Sequence, residues 1–276
     1  MKKTVLITGA SSGIGKETAK HFAANDWNVI ATMRNPEKET ELTGDDKILV
    51  TRLDVQDQES IQTAIKAGIE RFGQIDTLIN NAGYGQFGIF EATAEKQIRD
   101  QFDVNVFGVM DTIKAILPHF RERKEGTIIN ISSGAGKFTI PLISLYSASK
   151  FALEGFSEAL SFELASLNIK VKIVEPGGTE TNFSAVSNEA FAQTEKIADY
   201  DPFISAAAQM FQGMRDARLV TAANVAEVIY NAAIDGTDKL RYPIGNDDFG
   251  RRMSARQDMA DQEYIEFIKS GYVKYL

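Results

Sequence analysis

The chain has 276 residues, 43% of them hydrophobic and 25% charged, enough for one α/β domain with a full core. A net charge of −8 argues against a general nucleic-acid surface, and no run approaches the ~20 apolar residues of a membrane span. The absence of cysteine excludes disulfides, thiolate catalysis and Cys-based metal sites, and two scattered histidines, His21 and His119, give no reason to expect a metal.

The apolar start runs into Gly9 too soon for a secretion signal, so a cytoplasmic location is expected. Residues 4–8 read instead as a short buried strand, followed by Gly9-Ala-Ser-Ser-Gly-Ile-Gly15 and a helical run. Strand, glycine turn and helix together place a diphosphate on backbone N–H groups at a helix N-terminus. The candidate contacts are Gly9, Ser11, Ser12, Gly13, Ile14 and Gly15. A second strand, residues 28–33, ends in Met33-Arg34-Asn35. No acid is present there to bind a ribose 2′-hydroxyl, whereas Arg34 suits a 2′-phosphate. The expected cofactor is therefore NADP, with NAD as the alternative.

A third strand, residues 47–53, ends at Asp54-Val55, where Asp54 can meet the adenine amino group and Asp57 can cap the next helix. The fourth, residues 75–80, is followed by Asn81-Ala82-Gly83, small enough for the backbone to approach a ligand. Tyr84 and Phe87, in the loop beyond, are candidate pocket residues. Residues 94–121 read as one long helix with Asn105 among core-type neighbours. Asn105 is expected to make a structural hydrogen bond, or to mark a backbone irregularity holding a water near Lys150.

Residues 127–132 form the fifth strand, and a glycine loop from Gly134 to Gly136 leads to Pro141 and a long helix. Tyr146 and Lys150 lie four residues apart, hence on one helix face, with Ser133 at the strand end. This trio suits proton transfer to a carbonyl oxygen. A free phenol has a pKa of about 10, and a nearby cation can lower it by roughly 1–3 units. Lys150 is expected to do so, while Ser133 holds the substrate oxygen. The helix over 147–167 carries an apolar stripe that includes Phe151, Phe156 and Leu160.

The sixth strand, residues 169–174, opens into a loop where a nicotinamide ring would be held. Pro176, Gly177, Thr179 and Thr181 are its candidate contacts. Residues 183–220 are read as a helical lid, 222–235 as a helix and 240–245 as a last strand with Pro243 marking its end or an edge. The tail over 246–276 is expected to dock on its own domain or on a neighbouring subunit. The whole predicts one α/β domain over 1–245, doubly wound (Rossmann), with a mostly parallel seven-stranded sheet and helices on both faces.

The chain resembles the single-domain branch of the short-chain dehydrogenase/reductase family. The matching residues are Thr8-Gly9-x-x-x-Gly13-Ile14-Gly15, Asp54-Val55, Asn80-Asn81-Ala82-Gly83, Asn105, Ser133, Tyr146-x-x-x-Lys150 and Pro176-Gly177. The stretch from Ser132 to Phe183 is similar to hydroxysteroid and retinol dehydrogenase-like members. The resemblance implies a tetrad of Asn105, Ser133, Tyr146 and Lys150, with Lys150 also holding the nicotinamide ribose. It implies homodimers or homotetramers built on the helices around Asn105 and after Tyr146.

The expected function is NADP(H)-dependent hydride transfer between nicotinamide and an alcohol/carbonyl pair, on a lipophilic ketone or aldehyde of steroid, retinoid or xenobiotic type. The lipophilic pocket is drawn from Ser133, Tyr146, Tyr84, Phe87, Phe138, Ile140, Leu142 and Phe183. The alternatives are small keto esters or sugar-derived carbonyls, and a catalytically silent dinucleotide-binding regulator, which would be expected to have lost Tyr146 or Lys150.

Overall fold

The computed structural model describes residues 2–192, 195–216 and 219–276. Strands β1 (Thr4–Ile7), β2 (Asn28–Met33), β3 (Ile48–Arg52), β4 (Thr77–Asn80), β5 (Gly126–Ile131) and β6 (Ile169–Pro176) match the apolar runs of the sequence. Two short strands not foreseen, β7 (Thr179–Glu180) and β8 (Val220–Thr221), pair parallel as a separate ribbon. With β9 (Arg241–Ile244), the main sheet has seven strands in the order β3-β2-β1-β4-β5-β6-β9, all in parallel register. Pro243 lies on edge strand β9, where its missing N–H breaks no ladder.

Alternate residues of each strand point to opposite faces and build two cores. Val5, Ile7 and Val29 pack with Phe22 of helix α1 (Gly13–Ala24) and Ile229 of α8 (Ala222–Ile234). Leu6, Ile30, Leu78 and Ile128 pack on the other face, against α2 (Gln58–Phe72), α4 (Gly108–Arg123) and α5 (Ser144–Ala165). The strand order reverses between β1 and β4, so a crevice opens at their carboxyl ends, the usual ligand position in such sheets. Asp57 caps α2, its Oδ1 accepting from Ser60 N–H at 3.1 Å.

Three expectations need correction. The single helix over 94–121 is in fact α3 (Glu95–Phe102), a π turn over Asp103–Phe107, and α4. One wide turn brings Asn105 inward and leaves the apolar periodicity on either side intact, so the pattern does not reveal it. Helix α5 begins at Ser144 rather than 147, placing Tyr146 in its first turn. Phe151 does not join the buried stripe of α5 and is 43% exposed.

Within the span expected to be a lid, α6 (Phe183–Ala192) and α7 (Asp201–Asp216) are helical; residues 193–194 and 217–218 of that span lie outside the described residues. The tail forms α9 (Asp247–Asp258) and α10 (Asp261–Ser270) and packs on the body: Tyr264 O–H donates to Thr139 O at 2.8 Å, and the Tyr272 ring meets Phe203 edge-on. Leu276 is exposed on this chain. Among the described residues no helix is long and apolar enough to cross a membrane.

Candidate active site

The glycine turn and the start of α1 form one end of the crevice. Gly9 has φ +68°, and a Cβ there would meet Ala82 Cα at 2.8 Å, so only glycine lets the turn lie against the β4 loop. Gly15 is crowded differently: its Cβ would fall 2.3 Å from Gly9 O and 2.4 Å from Asn81 Nδ2. Ser12, the N-cap of α1, makes no side-chain cap, and the first turn holds no acid. Its backbone donors are therefore free for an anion. Asn81 ties the turn to β4, its Nδ2 donating to Thr8 O at 2.9 Å and Gly9 O at 3.0 Å. Thr181 closes over the turn, 3.3 Å from where a Gly13 Cβ would be.

Arg34 stands exposed just beyond β2, with no ion-pair or hydrogen-bond partner among the described residues. The end of β2 lies beside the turn because Ala10 N–H donates to Thr32 O at 2.9 Å. The nearby Lys16 is engaged instead, by Glu39 at 3.1 Å and Glu41 at 2.9 Å. Asp54 accepts from Gln56 N–H at 3.1 Å and is half-buried at the end of β3, beside buried Val55. These features fit a dinucleotide: a bare glycine cradle, free helix-end donors and an unpaired cation further along.

Ser133, Tyr146, Lys150 and Asn105 converge at the other end. The Lys150 ammonium lies 5.8 Å from the Tyr146 ring centroid and donates to Ile131 O at 2.8 Å. A Cβ on Gly83 would come within 3.9 Å of that ammonium, so the Asn81–Gly83 segment runs directly past it. Asn105 is fully engaged: Nδ2 donates to Tyr84 O at 2.9 Å and Ser149 Oγ at 3.2 Å, and Oδ1 accepts from Tyr84 N–H at 3.1 Å. The structural hydrogen bonds expected of Asn105 are present, and the backbone around it is the irregular π turn. Asn80 and Asn130 lock β4 to β5 through a 2.8 Å bond, and Asn130 reaches Ser157 of α5 at 2.8 Å.

The electrostatics correct the sequence reading. Burial pushes the Tyr146 phenol up to about 12, against the pull of a hydrogen bond with Ser133. The expected lowering by Lys150 does not appear: Phe87, Phe183 and Ile140 strip water from the phenol, and only the bond with Ser133 opposes that desolvation. Burial also pushes Lys150 down to about 8, with Glu154 acting the other way. At neutral pH the phenol is thus protonated and the ammonium still largely charged.

Sequence reasoning missed a buried charge cluster behind Lys150. Arg241 of β9 reaches Glu154 at 3.0 Å, Glu175 at 3.4 Å and also Glu158. The only available signal was that Glu154 follows Lys150 by four residues. Burial and the Glu154 charge push Glu175 up to about 7, with Lys137 and Arg241 opposing. Its folded-state pKa exceeds the ordinary ~4.3, so the native chain holds the extra proton and stability falls as pH rises through that window. Glu175→Gln is expected to raise the midpoint of thermal unfolding at pH 8 by about 4 °C, on the order of 2 kcal/mol, and by much less at pH 5. A shift of equal size at both pH values, by calorimetry, would count against this origin.

The expected pocket residues divide. Phe87 and Phe183 stand over Tyr146, with ring centroids 5.9 and 5.5 Å away, and Ile140 and the unforeseen Phe211 join them. Tyr84 does not belong to this group; its phenol feels Asp100 and Asp103 and is pushed up to about 12, mainly by burial. Phe138 packs instead against Phe249 in the tail. Leu142 has φ +64° and lines a neighbouring open cavity of about 450 Å³ with Phe90, Tyr200 and Phe203. Thr179 Oγ1 donates to Gly177 O at 3.0 Å, and Thr181 Oγ1 accepts from Phe183 N–H at 3.2 Å, so the loop after Pro176 runs from Thr181 at the glycine turn to Phe183 over Tyr146.

Comparison with known proteins agrees with this geometry. The short chain dehydrogenase family model matches residues 3–191. A 3-ketodihydrosphingosine reductase of Bacteroides thetaiotaomicron is 43% identical over 197 residues, 71% of this chain and 71% of that protein. A short-chain dehydrogenase from Streptomyces avermitilis is 35% identical, with TM-score 0.83, covering 99% of this chain and 98% of that one. ElxO with NADP bound is 30% identical, with TM-score 0.71, covering 88% and 98%. With its glycine turn, parallel sheet and convergent Ser, Tyr and Lys, the chain belongs to the short-chain dehydrogenase family and is an oxidoreductase of that family.

Proposed function

We propose that this enzyme uses NADP(H) to interconvert a lipophilic ketone or aldehyde and its alcohol. The observation that carries this reading is the Tyr146 phenol, buried under Phe87 and Phe183, beside Ser133 and Lys150. When bound, the nicotinamide would supply or accept the hydride. Ser133 orients the carbonyl oxygen and donates to the charge that develops on it. Tyr146, still protonated, gives its proton to that oxygen. Lys150 keeps its ammonium 5.8 Å from the phenol ring centroid, where it would hold the nicotinamide ribose, while Asn105 fixes the loop that passes Lys150. The aromatic enclosure excludes water and favours an apolar substrate body.

The NADP-bound ElxO structure and the unpaired Arg34 support the cofactor, and the 3-ketodihydrosphingosine reductase supports a lipid-like ketone. Oxidation of NADPH and NADH over a panel of steroid-like, long-chain, keto-ester and sugar-derived carbonyls tests the reading. Activity confined to the charged or sugar-derived members would reject the lipophilic assignment.

The same reading includes a homo-oligomer. Phe151 and Phe162 lie three turns apart on one outer face of α5, 43% and 75% exposed, and Gly155 between them leaves open space. Phe107 adds a further exposed ring beside α4. Phe162→Glu is expected to shift the protein to monomers in analytical ultracentrifugation. An unchanged sedimentation coefficient would exclude this face as the interface.

A further inference from the structure

The side chain of Phe249, in the C-terminal extension, occupies a seat made of three glycines. A Cβ on Gly134 would lie 2.6 Å from its ring, one on Gly177 2.7 Å, and one on Gly245 2.3 Å. These glycines follow β5, β6 and β9, so one ring fills the gap at three neighbouring strand ends. The ring is 7% exposed, and Phe138 packs edge-on against it at 6.0 Å. Its own position is fixed: Asn246 Oδ1 accepts from Phe249 N–H at 3.0 Å and starts α9. Gly177 N–H donates to Ile244 O at 2.7 Å, which holds the seat closed. A second clamp comes from α10, where Tyr264 O–H reaches Thr139 O.

Two of the three glycines adjoin the active site. Gly134 follows Ser133 directly, and Gly177 leads into Thr179 and Thr181. We infer that Phe249 is a positioning residue: the thickness of its ring sets the separation between the Ser133 hydroxyl and the loop beside the nicotinamide. No Cβ-bearing residue fits at these seats, and no aliphatic side chain is as flat as the ring that fills them. The inference rests on the proposed roles of Ser133 and the loop after β6. Misplacement by about an ångström at a reacting centre costs on the order of a hundredfold in rate.

The test compares Phe249→Ala with Ile268→Ala, a substitution elsewhere in the same buried tail cluster. Both are expected to lower the unfolding temperature. Only Phe249→Ala is expected to lower kcat, by about ten- to a hundredfold, and to weaken NADPH binding severalfold. Phe249→Leu, which fills the seat without a flat ring, should recover only part of the rate. Backbone amide exchange supplies a readout independent of turnover: in Phe249→Ala it should quicken at both 133–139 and 177–182, and in Ile268→Ala at neither. Equal kinetics and equal exchange in the two alanine variants would overturn the inference. Wild-type protein that reduces no carbonyl, while Phe249→Ala still loosens both loops, would overturn the proposed function and leave the positioning intact. If Phe249→Ala does not fold, Phe249→Leu against Ile268→Val carries the same comparison, with smaller effects of the same sign.

Discussion

Tyr146→Phe is expected to lower kcat by about a thousandfold, within the ~10²–10⁴ range of general acid–base catalysis, while leaving the NADPH dissociation constant within about threefold. The substitution removes one oxygen and keeps the ring that Phe87 and Phe183 pack against. The enclosure should therefore survive, and the loss is confined to the proton and to the bond with Ser133. Stopped-flow measurement of NADPH oxidation, with fluorescence titration for binding, separates the two effects. Retention of more than a tenth of the wild-type rate would remove Tyr146 from the proposed role.

Arg34→Asp is expected to lower the ratio of kcat/KM for NADPH to that for NADH by at least about a hundredfold. A charge-assisted bond to the 2′-phosphate contributes about 1.5–3 kcal/mol, and a factor of ten corresponds to about 1.4 kcal/mol. The introduced carboxylate adds repulsion toward the phosphate and an acceptor for a free 2′-hydroxyl, so both effects act in one direction. Lys16 and Lys20 cannot readily substitute, since Glu39 and Glu41 already engage them. An unchanged ratio would show that Arg34 does not read the phosphate.

The features legible in the sequence are those decided locally. The buried strands announce themselves as apolar runs, the Asp57 cap by its spacing, and the placement of Tyr146 and Lys150 by helical period. The glycine turn is legible because Gly9 adopts a left-handed φ and lies against Ala82 at the start of the next loop. What failed depends on distant residues. The sign of the Tyr146 shift is set by Phe87 and Phe183, far apart in sequence, which exclude water from the phenol. A single wide turn around Asn105 leaves no trace in the apolar pattern. Glu154, Glu175 and Arg241 meet only because α5, β6 and β9 are neighbours in the sheet's packing. Phe249 gives no local signal, since its meaning lies in the glycines at 134, 177 and 245.

The ribbon joining Thr179–Glu180 to Val220–Thr221 has a consequence for how such an enzyme diversifies. The polypeptide leaves and rejoins the body at adjacent points, and between them it is tied down again where Gln97 donates to Ala190 O at 3.3 Å and Tyr200 O–H to Glu91 at 2.8 Å. Lengthening or rewriting the stretch between them changes closure entropy only slowly with size and disturbs no register in the seven-stranded sheet. Insertions between Phe183 and Val220 therefore spare the sheet, whereas changes at Thr181 or Phe183 reach the glycine turn and Tyr146 directly.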